Sequence, residues 1–361
     1  MQDQPANGLH VQVREEGRAG FITLDRPEAL NALSLQMIRG LEACYHKWIK
    51  TPRIYGVILE SSSPRAFCAG GDIRALYELG RERADEALGY YREEYQHNWT
   101  LQRFGKPQVA LINGVVMGGG VGVSLYGTQR AAGENFRLAM PECAIGLFPD
   151  VGGGYFLSRM PGETGMYLAL TGASVGQADA FYLGLVTHCI PSSSFDAVRA
   201  AIVEGDPIDP VLASLHEAPG QGEIQRMRPV IDRIFSAGSV EEILARLDAE
   251  TGEAGDWAHE AAAAIRRGAP LSLKAAYRLV REGKKHESLK TELQTEYRLA
   301  SRFLRGRDFY EGVRAAIVDK DRSPEWRPAT LEEATDNLVN SCFAPLPGGE
   351  LELVDYWTLA D

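Results

Sequence analysis

Through its first half the chain keeps switching between short apolar runs and stretches with helical spacing, and this alternation restricts the fold more than any other feature. "YGVILES" at 55–61, "PQVALING" at 107–114 and "FRLAMPE" at 136–142 read as short strands. Upstream, "HVQVREEGRAGFITLDRP" alternates apolar and polar residues, turns near Gly17 and Gly20 and stops at Pro27, which predicts a hairpin. Ser34 then caps a helix in which Ile38, Leu41, Tyr45 and Trp48 recur at spacings of three and four. "AFCAGGDI" breaks regular structure before a charged helical stretch through "LYELGRERADEALGYYREEYQHNW". A second unit repeats the plan: "VVMGGGVGVSLYG" reads as a glycine-opened helix and "FPDVGGGYFLSRM" as a loop entering a helix. Strands alternating with helices predict an α/β architecture.

From about residue 195 the pattern changes. Residues 204–225 are rich in Pro, Gly and acidic side chains and read as a linker or inserted segment. Helical periodicity dominates from residue 226 until "DRSPEWRP" ends the block. The expected organisation is a core at 1–203, the linker or insert at 204–225, a helical region at 226–335 and a weakly patterned tail at 336–361.

A chain of 361 residues suits one large domain or two moderate ones. Its net charge of −11 argues against nucleic acid or an anionic membrane as partner, but leaves room for an anionic small ligand held by local donors. Cys44, Cys68, Cys143, Cys189 and Cys342 are scattered without C-x-x-C spacing, so neither a zinc site nor a disulfide framework is indicated. "MQDQPANGLH" lacks the basic and apolar regions of a signal peptide, and no apolar run approaches the ~18 residues of a membrane span. These features predict a reducing, cytoplasmic setting.

Common cofactor signatures are missing: the sequence contains no P-loop, no G-x-G-x-x-G and no H-E-x-x-H. "GASVG" at 172–176 fits the G-x-S-x-G of serine hydrolases, but Ser174 lies between two helical stretches, where a nucleophile elbow needs a strand before it. The glycine clusters say more. Gly70 and Gly71 let the chain pass close to a ligand, and Gly118, Gly119 and Gly120 stand where a helix begins and offers unpaired N–H groups. Two such sites converging on one oxygen would make an oxyanion hole, although tight turns alone would account for either cluster. Glu142 and Asp150 are carboxylates in an otherwise apolar, glycine-rich stretch; a helix cap or an ion pair is the plain alternative for Glu142 and an N-cap for Asp150. Glu93 and Glu94, by default, lie on a solvated helix face.

Taken together, "FITLDRPEALNALS", "AFCAGGDIRALYE", "VALINGVVMGGGVGVSL", "FRLAMPECAIGLFPDVGGGYFLSRM" and "EGVRAAIVDKDRSPEWRP" resemble the crotonase (enoyl-CoA hydratase/isomerase) superfamily, over residues 10 to about 330. "GLFPDVGGGYF" and "REEY" resemble its thioester-hydrolase branch. The resemblance implies a crotonase-like spiral of ββα turns with a mainly helical C-terminal region, an acyl-CoA substrate, and no cofactor or metal beyond the CoA of that substrate. It also implies a homo-oligomer, since the superfamily commonly forms trimers. Gly71 and Gly119 match the positions whose amides hold the thioester oxygen. Ala69 matches a position beside the CoA adenine, and Arg26 a contact for CoA phosphates. Glu94, Gly119, Glu142 and Asp150 match substrate-binding positions, with Glu142 and Asp150 catalytic.

One departure separates the branches. Hydratases hold water between two glutamates, and this chain has Gly122 at the position of one of them. Hydration needs an acid and a base on the alkene; thioester hydrolysis needs an oxyanion hole, one carboxylate and a water. The departure favours thioester hydrolysis, and the resemblance implies a short 3-hydroxyacyl-CoA as its substrate, 3-hydroxyisobutyryl-CoA first among them. A hydratase or isomerase of the same superfamily and a non-catalytic acyl-CoA-binding module stay open at this point.

Overall fold

The computed structural model describes residues 10–356. Among the described residues ten strands form two sheets. The larger contains β1 (Val11–Glu16), β2 (Ala19–Leu24), β3 (Gly56–Ser61), β5 (Gln108–Ile112), β7 (Gln129–Ala132) and β10 (His188–Cys189), in the order β1-β2-β3-β5-β7-β10. The smaller contains β4 (Ala66–Cys68), β6 (Val115–Met117), β8 (Arg137–Ala139) and β9 (Val175–Gly176), in the order β4-β6-β8-β9. The β1–β2 hairpin and the β8–β9 pair are antiparallel; every other pairing is parallel.

The chain visits the sheets in turn. β3 leads into β4, β5 into β6 and β7 into β8, and each pair is followed by helical turns before the next begins. This is a spiral of ββα turns, as the resemblance implies, and a helical region follows it. Parallel strands need a crossover between them, so each turn must carry its own helix. The apolar run of "YGVILES" is explained by burial on both faces. Within β2 and β3, Phe21 and Ile58 face one apolar cluster while Ile22 and Leu59 face the other.

Residues 204–225, expected as a linker or insert, contain the helix Ile208–Leu215. Ile208 and Leu212 are buried with Phe21, Val109 and Phe195 on the outer face of the larger sheet, where each contributes about 1.5–3 kcal/mol of hydrophobic stabilisation. In "VVMGGGVGVSLYG", expected as a glycine-opened helix, the helix begins at Gly119, and Val115–Met117 before it form β6. In the weakly patterned tail, the helix Asp336–Phe343 buries Val339, Cys342 and Phe343, and Leu351 and Leu353 are buried beyond it. All five cysteines are buried and unbridged. No helix among the described residues is long and apolar enough to cross a membrane.

Candidate active site

β4, β6 and β8 are parallel neighbours, so the segments leaving their C-terminal ends emerge side by side. Those segments are Ala69–Gly70–Gly71, Gly118–Gly119 and Pro141–Glu142. Distant in sequence, they meet because the strands before them pair in one direction, and the C-terminal edge of such a sheet is where α/β folds place ligands. Together they form one wall of a cavity of about 270 Å³, which Tyr90, Tyr91, Glu94, Asp150 and Ile317 also line.

The glycine loops approach closely. A Cβ on Gly119 would stand 3.4 Å from Gly71 N and collide with Glu94 Oε1, and one on Gly118 would lie 2.9 Å from Glu142 Oε1. Gly118 also has φ of 44°, a left-handed value that favours glycine. Gly119 is the first residue of the helix Gly119–Leu125, so its N–H has no acceptor one turn back. Among the described residues neither Gly71 N–H nor Gly119 N–H has a hydrogen-bond partner. Two free amides thus flank one corner of the cavity.

Three carboxyl groups share that space: Glu94, Glu142 and Asp150 are 2%, 8% and 8% exposed. No lysine, arginine or histidine among the described residues lines the cavity. Burial pushes the Glu142 carboxyl well above its usual range, and the charge of Asp150 adds to the shift. Burial likewise raises Glu94, helped by Asp150 and Glu142 and opposed by the hydrogen bond from Tyr90. Asp150 is pushed up to about 7 by burial, against the hydrogen bond that Tyr95 Oη donates to Oδ2 at 3.0 Å. Glu142 Oε2 has no partner among the described residues. A buried, unpartnered carboxyl oxygen costs stability, and here it belongs to a residue that lines the same cavity as the two glycine loops.

The Asp150 loop is held under strain. Val151 has φ of 51°, unfavourable for a β-branched residue. Its carbonyl accepts from Tyr126 Oη at 2.6 Å. Glu296, from the helix Leu289–Phe303, accepts from Gly152 N at 2.7 Å and Gly154 N at 3.3 Å. These contacts over-determine the conformation. Tyr91, Tyr95 and Glu296 were not among the residues expected from sequence. Tyr95 closes the "REEY" motif, which was a usable signal; Glu296 sits in an ordinary amphipathic helix and carries none.

Ala69, Gly71, Glu94, Gly119, Glu142 and Asp150 therefore come together in one cavity. The plain alternatives of an ion pair or cap for Glu142 and of an N-cap for Asp150 are not realised: Gly152 caps the helix after Asp150 and Pro141 precedes Glu142. Glu93 and Glu94 part company on the helix Ala84–Arg103, since adjacent helical residues diverge by about 100°. Glu93 pairs on the surface with Arg39 through two contacts of 2.6 Å, while Glu94 turns inward. Arg26 does not line the cavity; its Nη1 donates to Asp72 Oδ2 at 2.7 Å and to Ala32 O at 3.1 Å, bracing the turn after Gly71. Ser174 is exposed in the loop before β9, outside the cavity. At Gly122 a Cβ would meet Asn98 Nδ2 at 2.8 Å and Val151 Cβ at 2.9 Å, so the space a second glutamate would need is filled.

Residues 19–343 match the enoyl-CoA hydratase/isomerase family. The chain is 42% identical to the mitochondrial 3-hydroxyisobutyryl-CoA hydrolase of Danio rerio, over 96% of this chain and 92% of that protein. It is 40% identical to the mitochondrial enzyme of the same name from Homo sapiens, over 95% and 90%. The crystal structure of an enoyl-CoA hydratase from Rhodobacter sphaeroides 2.4.1 superposes with a TM-score of 0.89 at 41% identity, covering 95% of this chain and 99% of that one. The cytoplasmic setting expected from the sequence is overturned: these curated hydrolases are mitochondrial, and the lack of a recognisable leader in "MQDQPANGLH" is no guide to compartment.

Proposed function

The chain belongs to the enoyl-CoA hydratase/isomerase family, and from that premise we propose that it hydrolyses 3-hydroxyisobutyryl-CoA to 3-hydroxyisobutyrate and CoA, a step of valine degradation. The observation that carries this reading is Glu142, whose buried Oε2 has no partner among the described residues and which lines the same cavity as Gly71 and Gly119, while Asn98 and Val151 occupy the place of a second glutamate at 122. That arrangement suits addition of water to a carbonyl. It lacks the second glutamate that hydratases carry at the position of Gly122.

The thioester oxygen sits between Gly71 N–H and Gly119 N–H. Water attacks the carbonyl carbon as its proton passes to Glu142, and the oxygen gains negative charge under the two amides. One donor of this kind is worth about 2.7–4 kcal/mol in the transition state. When the carbonyl re-forms, the C–S bond breaks and CoA leaves as a thiolate, whose pKa of about 8.5, by analogy with cysteine, spares it a general acid. A buried carboxylate is a stronger base than an exposed one, so the upward shift of Glu142 serves the step. The same geometry admits Glu142 as nucleophile through a mixed anhydride; ¹⁸O from labelled water entering the Glu142 carboxyl marks that route. Asp150 accepts a hydrogen bond from the 3-hydroxyl, Glu94 positions the acyl group or the water, and Ala69 borders the CoA adenine.

The test is thiol release from a panel of acyl-CoAs. Fast release from 3-hydroxyisobutyryl-CoA, with no hydration of crotonyl-CoA, is expected. Hydration of crotonyl-CoA without thiol release would make the protein a hydratase, and neither reaction would leave a binding module.

A further inference from the structure

Four tyrosines, Tyr90, Tyr91, Tyr95 and Tyr126, pack around the cavity and the Asp150 loop. Three have spent their hydroxyls. Tyr90 donates to Leu33 O at 3.1 Å and lies 3.4 Å from Glu94 Oε1. Tyr95 donates to Asp150 and Tyr126 to Val151 O. The Tyr91 hydroxyl is buried in the cavity wall and has no partner among the described residues. An unspent buried donor is a cost to the free protein, and a ligand with a matching acceptor would remove it.

Thioester hydrolysis with Asp150 on the 3-hydroxyl leaves one such acceptor unserved. A 3-hydroxyl is both donor and acceptor. Asp150, acting as the acceptor for that hydroxyl, supplies it no hydrogen bond in return, and the two glycine amides are committed to the thioester oxygen. We propose that Tyr91 is a specificity-determining residue whose phenol O–H donates to the substrate's 3-hydroxyl oxygen while Asp150 accepts from the same hydroxyl. The inference rests on the hydrolase reading and adds to it the second half of the hydroxyl's recognition. Burial and the charges of Asp150, Glu94 and Glu142 hold the Tyr91 phenol well above its usual pKa, so it remains a donor throughout the working range.

The decisive variant is Tyr91→Phe, which keeps the ring edge against Tyr90 at 5.7 Å and Tyr95 at 5.9 Å between centroids. The readout is kcat/KM for 3-hydroxyisobutyryl-CoA divided by that for isobutyryl-CoA, in wild type and variant. The ratio is expected to fall about 10- to 100-fold, the scale of one hydrogen bond lost from a buried site. An unchanged ratio overturns the inference, and so does an equal loss on both substrates, which would make Tyr91 part of the wall only. A wild type that discriminates while Tyr91→Phe keeps the ratio sinks the Tyr91 role alone. A wild type that releases no thiol sinks the hydrolase reading and this inference with it.

Discussion

Two regions of this molecule withdraw acidic side chains from water, one half-buried and one buried, and they treat them in opposite ways. On the helix Leu35–Ile49, Glu42 is surrounded by donors: His97 Nδ1 at 2.7 Å, Thr100 Oγ1 at 2.7 Å and His46 Nε2 at 3.0 Å. Burial raises its pKa, yet hydrogen bonds from His46, His97 and Thr100 outweigh burial and bring the carboxyl down to about 2. Less than one helical turn before His97, Glu94 enters the cavity with Glu142 and Asp150, where no cation lines the wall and all three shift upward. The same physics gives both results, because desolvation opposes charge everywhere; donors surround Glu42, whereas the cavity carboxyls have few and face one another's charge. Glu42 is a carboxyl satisfied by the fold. The cavity carboxyls wait for a ligand to complete them, which is the mark of a working site.

The largest expected effect comes from filling the gap between the two amides. Gly119→Val puts a side chain against Glu94 and Gly71 N, and thiol release should fall more than about 10³-fold while thermal unfolding stays cooperative; a variant with ordinary turnover would place the oxyanion elsewhere. Asp150→Asn comes next. Discrimination against isobutyryl-CoA should drop about 10²-fold, and the variant should also unfold at a higher temperature above pH 7. Folded Asp150, with a pKa of about 7, keeps a proton that the unfolded chain has lost above about 3.8, so its contribution to stability declines between those values and stays low beyond them. At pH 4 the gain should vanish; a gain equal at both pH values would contradict the uncompensated state of Asp150. Glu42→Gln should do the reverse, lowering stability at pH 7 by on the order of 2 kcal/mol. Its folded pKa of about 2 lies below the usual 4.5, so this contribution is complete above about 4.5 and lost as pH falls toward 2. Urea unfolding at pH 7 and pH 3 reads the difference, and a neutral effect at pH 7 would erase the contrast. Smallest of all, Ser174→Ala should leave thiol release within about twofold, as expected of an exposed residue away from the chemistry.

Much of this site was legible in sequence because its key groups sit in motifs where local chemistry is unusual. Gly71, Gly119, Glu142 and Asp150 stand out as glycines and acids in apolar surroundings. Their convergence is implied by the family resemblance alone and not by the local pattern, since it depends on the parallel pairing of β4, β6 and β8, and three-residue strands leave almost no periodic trace. Glu94 looked like its neighbour Glu93 until the helix rotation separated them. Glu296 is silent for a different reason: its two hydrogen bonds reach amides about 140 residues earlier, and nothing in "TELQTEYRL" marks them. The helix Ile208–Leu215 was hidden by Pro207 and Pro210, which both fit its first turn. Its stability comes from Ile208 and Leu212 packing on the sheet, a tertiary gain that propensity does not record.

The most direct measurement is the turnover of Glu142→Gln on 3-hydroxyisobutyryl-CoA beside wild type, followed as free thiol. Glutamine keeps the shape and removes the base. A base at this position predicts a loss of about 10²–10⁴-fold in kcat with a folded protein; full turnover by this variant would contradict it.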